Sequence, residues 1–164
     1  PSLVGSEMCI RDSDRGGGVS YHGPGQVLLY PILRIRGRYS VRSYVALLQT
    51  LVSDTLKSFG LNPKIRNETP GVWIGHRKIS SIGIRIRGGI ATHVLSLNVS
   101  GDLVGFDHIT ACNDSTMEHT SMALESNLLI DWATAVEALK HNAEIVFERH
   151  LTWRTTGNHA NLGV

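Results

Sequence analysis

KISSIGIRIRGGIATHVLSLNV, residues 78–99, decides the fold. Two runs of apolar residues at period two flank the pair Gly88-Gly89, and a two-glycine connection between such runs marks a tight hairpin, because both central residues of the favoured turn need positive φ. The sheet is therefore antiparallel. Ile82, Ile84 and Ile86 fall on one face of the first strand, and unbroken alternation carries Ser80 and Lys78 onto the same face. Two readings of Lys78 follow. Either its ammonium lies beside an apolar core, which is costly unless it is paired or used, or the strand starts one residue later and Lys78 is solvated.

Upstream, residues 71–74 read as a further strand, and Ser40 caps a helix. There Val41, Tyr44, Val45, Leu48, Leu51, Val52, Thr55, Leu56 and Phe59 recur at three and four residues, and Gly60 supplies a left-handed stop. Residues 27–35 (VLLYPILRI) form a buried strand in which Pro31 removes one ladder donor, the sign of an edge or a bulge. Downstream, Ser115 and Glu118 have capping-box spacing for a short helix. Trp132, Val136, Leu139, Ala143, Val146 and Phe147 mark a longer amphipathic one. Strands and helices that mix without regular alternation predict an α+β domain, helices packed on a mainly antiparallel sheet.

The 164 residues are 41% hydrophobic and 18% charged with a formal charge of +2, enough for one core and too weakly basic for nucleic-acid binding. A weak attraction to acidic proteins is compatible with this charge. No window reaches the roughly 18 apolar residues of a membrane span, and no secretory pattern opens the chain, so a cytoplasmic protein is expected. Residues 1–13 (PSLVGSEMCIRDS) resemble a translated sequencing-library adaptor, which would make them non-native and the domain at residues 14–151 short of its N-terminal part. Residues 152–164 read as a polar tail. With Cys9 set aside, Cys112 is the only thiol, and no disulfide is expected.

Chemistry concentrates in two places. RGGGVSYHGPGQ, residues 15–26, sets five glycines around Arg15, Tyr21 and His22, a density that lets backbone N–H groups approach a ligand. It lacks the Lys-Ser ending of a phosphate-binding P-loop, and a purely structural turn fits it equally well. Cys112 follows the sheet and precedes a capped helix, where the dipole favours a thiolate. A nearby Lys78 ammonium would lower its pKa further. The alternative is an inert buried thiol. His22 and His93 lie in these segments and leave a Cys-His dyad open. His76, His108, His119, His141, His150 and His159 read as surface or loop residues, and no paired Cys or His spacing suggests zinc.

Three blocks taken together, RGGGVSYHGPGQ, the 78–99 run, and Cys112 with Thr120-Ser121 behind it, resemble the octanoyltransferase family across most of residues 14–125. The resemblance implies a biotin/lipoate protein ligase-like catalytic domain, needing no cofactor and no metal. It implies transfer of an octanoyl or lipoyl group from acyl carrier protein to a lysine. The acceptors would be lipoyl domains of 2-oxoacid dehydrogenase complexes and the glycine-cleavage H protein, and the enzyme would act as a monomer without nucleic acid or membrane. The family's nucleophile falls on Cys112 and its activating lysine on Lys78. Its acyl-substrate contacts fall on Arg15, Gly16, Gly17, Gly18, Val19, Ser20, Tyr21 and His22; on Ser81, Ile82 and Gly83; and on Val94, Leu95 and Ser96 after His93. Backbone N–H groups of the glycine-rich loop or near Gly83 would then hold the oxyanion. This chain has Ala111-Cys112-Asn113 where the family has Pro-Cys-Gly, and His93-Val94 where it has His-Gly. Asn tolerates the left-handed region, whereas the branched Val94 would narrow a pocket that Gly leaves open. A His-Pro-Pro-like motif usual before the RGG block is absent. The rival expectations are an ATP-dependent lipoate or biotin ligase on the same fold and a non-catalytic acyl-binding protein.

Overall fold

The computed structural model describes residues 20–66, 69–92, 94–107, 117–126, 129–148 and 151–154. Residues 1–13, and all of the tail except 152–154, lie outside the described residues.

The N-terminal strand region is two strands rather than one. β1 (Gln26–Leu29) ends before Pro31, and β2 (Leu33–Arg34) begins after it in a different sheet. Proline gives no ladder donor, so the chain changes sheets where the ladder is already broken. Helix α1 (Val41–Ser58) starts as expected: the Ser40 hydroxyl accepts from the Ser43 N–H at 3.1 Å, and Gly60 follows the helix at φ 76°. Tyr44, Leu48, Leu51, Val52 and Leu56 line its buried stripe, while Val41 is exposed.

β3 (Pro63–Lys64), β4 (Gly71–Ile74) and β5 (Arg77–Ile82) follow as antiparallel neighbours. β6 (Arg85–Arg87), the Gly88-Gly89 turn with φ of 60° and 81°, and β7 (Ile90–Thr92) form the hairpin read from the sequence. The two long strands of that reading are each broken. β5 and β8 (Leu95–Asn98) pair in a five-stranded sheet of order β1-β8-β5-β4-β3, whereas β6 and β7 join β2 in a three-stranded sheet of order β2-β7-β6. At the crossing, the Gly83 N–H donates to the Val94 carbonyl at 3.0 Å.

Helices α1 and α3 (Trp132–Phe147) pack on one face of the large sheet. The rings of Tyr44 and Phe147 stand 6.3 Å apart, and Leu139 and Ala143 join Val27, Val72, Leu95 and Leu97 in one core. Burying such a branched side chain stabilises by about 1.5–3 kcal/mol. Asp131 caps α3 by accepting from the Thr134 N–H at 3.0 Å. The short helix expected after Ser115 starts later: α2 (Met122–Glu125) is capped by Ser121, and Glu118 lies in extended chain. Beyond α3, Leu151 and Trp153 pack against the core, and the Trp153 indole N–H donates to Glu144 at 3.3 Å, so the tail begins folded. No helix among the described residues is long and apolar enough to cross a membrane.

Candidate active site

One irregularity sets the position of Lys78. Val72 pairs with Ser80 and Trp73 with Lys78, so Ile79 is an extra residue in β5, a bulge that resets the alternation. Ser80 and Ile82 keep the core side, as the sequence suggested, but Lys78 turns to the other face. The reading that put Lys78 with the isoleucines is corrected there, because alternation holds only while the ladder is unbroken. Lys78 is not solvated either. It is 1% exposed, and its Nζ lies 5.3 Å from the centre of the Trp73 ring, a cation–π distance.

The same register makes the second face of the large sheet polar. Gln26, Ser96, Asn98 and Ser81 share it with Trp73 and Lys78, while Val27, Leu95, Leu97 and Ile82 point to the helices. Gly71 belongs to the polar face. A Cβ there would stand 2.7 Å from Lys78 Cε and 2.6 Å from the Ser80 carbonyl oxygen, so the lysine stem runs over the bare glycine.

The segment that follows Cys112 in sequence is tied to this lysine by its backbone. The Lys78 N–H donates to Glu118 O at 2.8 Å and the Thr120 N–H to Lys78 O at 2.9 Å, placing His119 opposite Lys78 in a parallel bridge. Directly opposed residues share a face, which gives a row Trp73, Lys78, His119. The imidazole stacks on Phe106 at 3.7 Å and 12°, and Phe106 meets Tyr21 edge-on at 5.3 Å. Burial, then the Lys78 charge, push the His119 pKa down to about 4, with Asp107 opposing. His119 Nε2 is buried without a hydrogen-bond partner. The expectation of a surface histidine is thus corrected: it is a neutral ring against the lysine.

A second set of contacts stitches the glycine-rich loop to the same place. The Gln26 amide donates to Asn98 Oδ1 at 2.9 Å and to Tyr21 O at 3.3 Å, and its oxygen lies 3.2 Å from His22 Nδ1. Asn98 passes the network on by donating to Thr120 O at 2.9 Å. Thr120 in turn donates to the Glu125 carboxylate, which Arg77 meets at 2.8 Å. Gln26, Asn98 and Thr120, each hydrogen-bonded within this network, hold its geometry.

Of the residues singled out in the sequence, Lys78, Ser81, Ser96, Tyr21 and His22 come together around this face. Ser20 is half-buried beside them in sequence. Ile82 and Leu95 turn their side chains into the core, so only their backbone is available to a ligand. The Gly83 N–H is engaged by Val94, which removes it as an oxyanion donor, and the Val94 side chain is buried at the sheet crossing. Arg15, Gly16, Gly17, Gly18, Val19, His93 and Cys112 lie outside the described residues. Sequence reasoning missed Trp73, Asn98, Phe106 and His119 and noted Gln26 only as the end of the glycine-rich motif; Asn98, a polar residue closing an apolar run, gave a further signal. Among the described residues no group of three His, Cys, Asp or Glu could hold a metal ion.

Comparison with known proteins adds a family. Residues 6–140 match the model of the lipoyl protein ligase A/B catalytic domain. The chain is similar to the octanoyltransferase of Chromohalobacter salexigens, 42% identical over 121 residues, 73% of this chain and 55% of that protein. The octanoyltransferase of Klebsiella pneumoniae strain 342 is 44% identical over 121 residues, 73% of this chain and 56% of that protein. The chain thus spans a little over half the length of these curated relatives. Among solved structures, lipoate-protein ligase A bound with ATP superposes with a TM-score of 0.69 at 15% identity, covering 88% of this chain and 61% of that one. Biotin protein ligase from Aquifex aeolicus gives 0.62 at 11%, covering 76% and 53%. At such identities these structures share the fold.

Proposed function

Because the chain belongs to the lipoyl protein ligase A/B catalytic-domain family, we propose that it moves an octanoyl or lipoyl group from acyl carrier protein to a lysine of a lipoyl domain, through a thioester on Cys112. The observation that carries this reading is Lys78: a lysine 1% exposed on the polar face of the sheet, joined by its backbone to the stretch that follows Cys112. A buried ammonium is costly unless it is paired or serves a purpose, and a place beside the reacting sulfur supplies the purpose.

The Cys112 thiolate attacks the carbonyl carbon of the acyl thioester. The new C–S bond forms, the bond to the pantetheine sulfur breaks, and Lys78 hands that sulfur a proton. One thioester replaces another, so no ATP is consumed. The ε-amine of the acceptor lysine then attacks the acyl-Cys112 carbonyl. A C–N bond forms, Cys112 leaves as thiolate, and Lys78 recovers a proton from the attacking amine. Its two protonation states close the cycle. Trp73 keeps water from the ammonium by its ring, and the neutral His119 adds no competing charge. A working thiolate suits a reducing compartment, which supports a cytoplasmic enzyme, and the enzyme acts as a monomer. Lipoyl domains of 2-oxoacid dehydrogenase complexes and the glycine-cleavage H protein are the acceptors this chemistry serves.

The test is transfer itself. Mixing the protein with octanoyl carrier protein and an unmodified lipoyl domain, without nucleotide, is expected to yield an octanoyl amide on the acceptor lysine, and Lys78→Met is expected to slow it about a hundredfold or more. Transfer from free octanoate that appears only with ATP would assign a ligase instead.

A further inference from the structure

The small sheet presents a face that the site does not account for. In β2, β7 and β6 the cross-strand row Arg34, Ile90, Arg87 lies beside the row Leu33, Ala91, Ile86. Ala91, at the centre of the second row, is fully buried in the core, so alternation turns the first row outward; Arg34, Ile90 and Arg87 are exposed, as is Ile86 at the edge of the second row. Arg85 opposite Thr92 and the 73%-exposed Ile32 extend it. Arg36 adds a further charge over the turn, its Cβ close to where a side chain on Gly89 would stand. Residues 20–53 and 69–101, which build both sheets apart from β3, contain no Asp or Glu. Among the described residues no carboxylate pairs with Arg34 or Arg87.

The position matters as much as the charge. Arg85 and Arg87 follow β5, the strand that carries Lys78, just beyond the break at Gly83 where the chain passes into the small sheet. Seven residues at a rise of about 3.3 Å put Arg85 within about 23 Å of Lys78. That gap suits a flexible arm rather than a side chain.

We propose that this arginine face docks the acyl donor, an acidic carrier protein whose acyl group rides on a phosphopantetheine arm. The proposal rests on the acyl-transfer reading above. The arm joins its protein through a phosphodiester, and paired guanidinium groups match phosphate and carboxylate oxygens better than ammonium groups do. Exposed Ile32 and Ile90 between the charges supply apolar contact area, as at the centre of a protein interface. Carrier docked there has its arm directed along β6 and β5 to Lys78.

The experiment measures binding and turnover separately, with the native chain and the double variant Arg34→Glu/Arg87→Glu. Binding of octanoyl carrier protein is expected to weaken about tenfold or more in the variant at low ionic strength, and native binding to weaken as salt rises. Acylation by the small thioester octanoyl-pantetheine and binding of the lipoyl-domain acceptor are expected to stay within about twofold of native, which also shows that the variant folds. Carrier binding unchanged by the substitutions, or a loss confined to the lipoyl domain, overturns the docking assignment. Carrier that binds in an arginine-dependent way to a protein unable to transfer its acyl group would leave docking standing and refute the transfer reading. The milder pair Arg34→Gln/Arg87→Gln is expected to give the same loss at smaller size.

Discussion

At the scale of single residues, Gly71 and His119 define the surroundings of Lys78. A methyl group at residue 71 meets the Ser80 carbonyl and the lysine stem below 3 Å on both sides. Gly71→Ala is therefore expected to destabilise by about 1–3 kcal/mol, as overpacking does, and to lower transfer by more than its effect on folding, through displacement of the ammonium. Urea unfolding and kcat measured together separate the two. His119 makes a pH prediction. Its pKa falls from the ordinary 6.5 to about 4, so the unfolded chain binds the proton more readily than the folded one. Stability is then fully present above about 6.5 and declines as pH falls toward 4. His119→Phe, which keeps a ring on Phe106, is expected to flatten that part of the stability profile followed by thermal unfolding; an unchanged profile would contradict the assignment. Lys78 was legible in the sequence as a lysine among isoleucines, but its face was not. Alternation assumes an unbroken ladder, and no residue type in Arg77–Ile82 announces the extra residue at Ile79.

At the scale of elements, the start and stop of α1 were readable, whereas the start of the short α2 and the continuity of the strands were not. Ser40 and Gly60 punctuate α1 chemically, and both signals act within one turn of the helix. The break of β5 from β6 and of β7 from β8 depends on which sheet each half joins, a long-range choice that local pattern does not encode. Pro31 marked the one break with a local cause. The Gln26, Asn98, Thr120 network is likewise long-range, linking residues far apart in the chain. Asn98→Ala removes its centre and strands buried partners, so a loss of about 1–3 kcal/mol in denaturant unfolding is expected. α3 ends on Glu148 at φ 50° and ψ 43°, a left-handed cap made by a residue with a Cβ. Glu148→Gly is expected to raise stability by up to about 1 kcal/mol, read as a higher unfolding midpoint, since glycine takes that conformation without the steric cost.

For the whole molecule, the two sheets share one long hairpin that crosses between them at Gly83 and Val94. Helices cover the apolar side of the large sheet, Lys78 lies on its polar side, and the small sheet carries the exposed Arg34 and Arg87. The sequence blocks that suggested the family, residues 15–26, 78–99 and 112–121, are the parts that this hairpin and its hydrogen bonds draw together where they are described. Their motifs were legible because they are local strings. The face on which they meet required the register. The central claim, an acyl group held on Cys112 beside Lys78, is tested most directly by intact-mass measurement after exposure to octanoyl carrier protein in the absence of acceptor. The account predicts a single added octanoyl group on the native protein, removed by hydroxylamine and absent from Cys112→Ala. An adduct of the same size and yield on Cys112→Ala would contradict it.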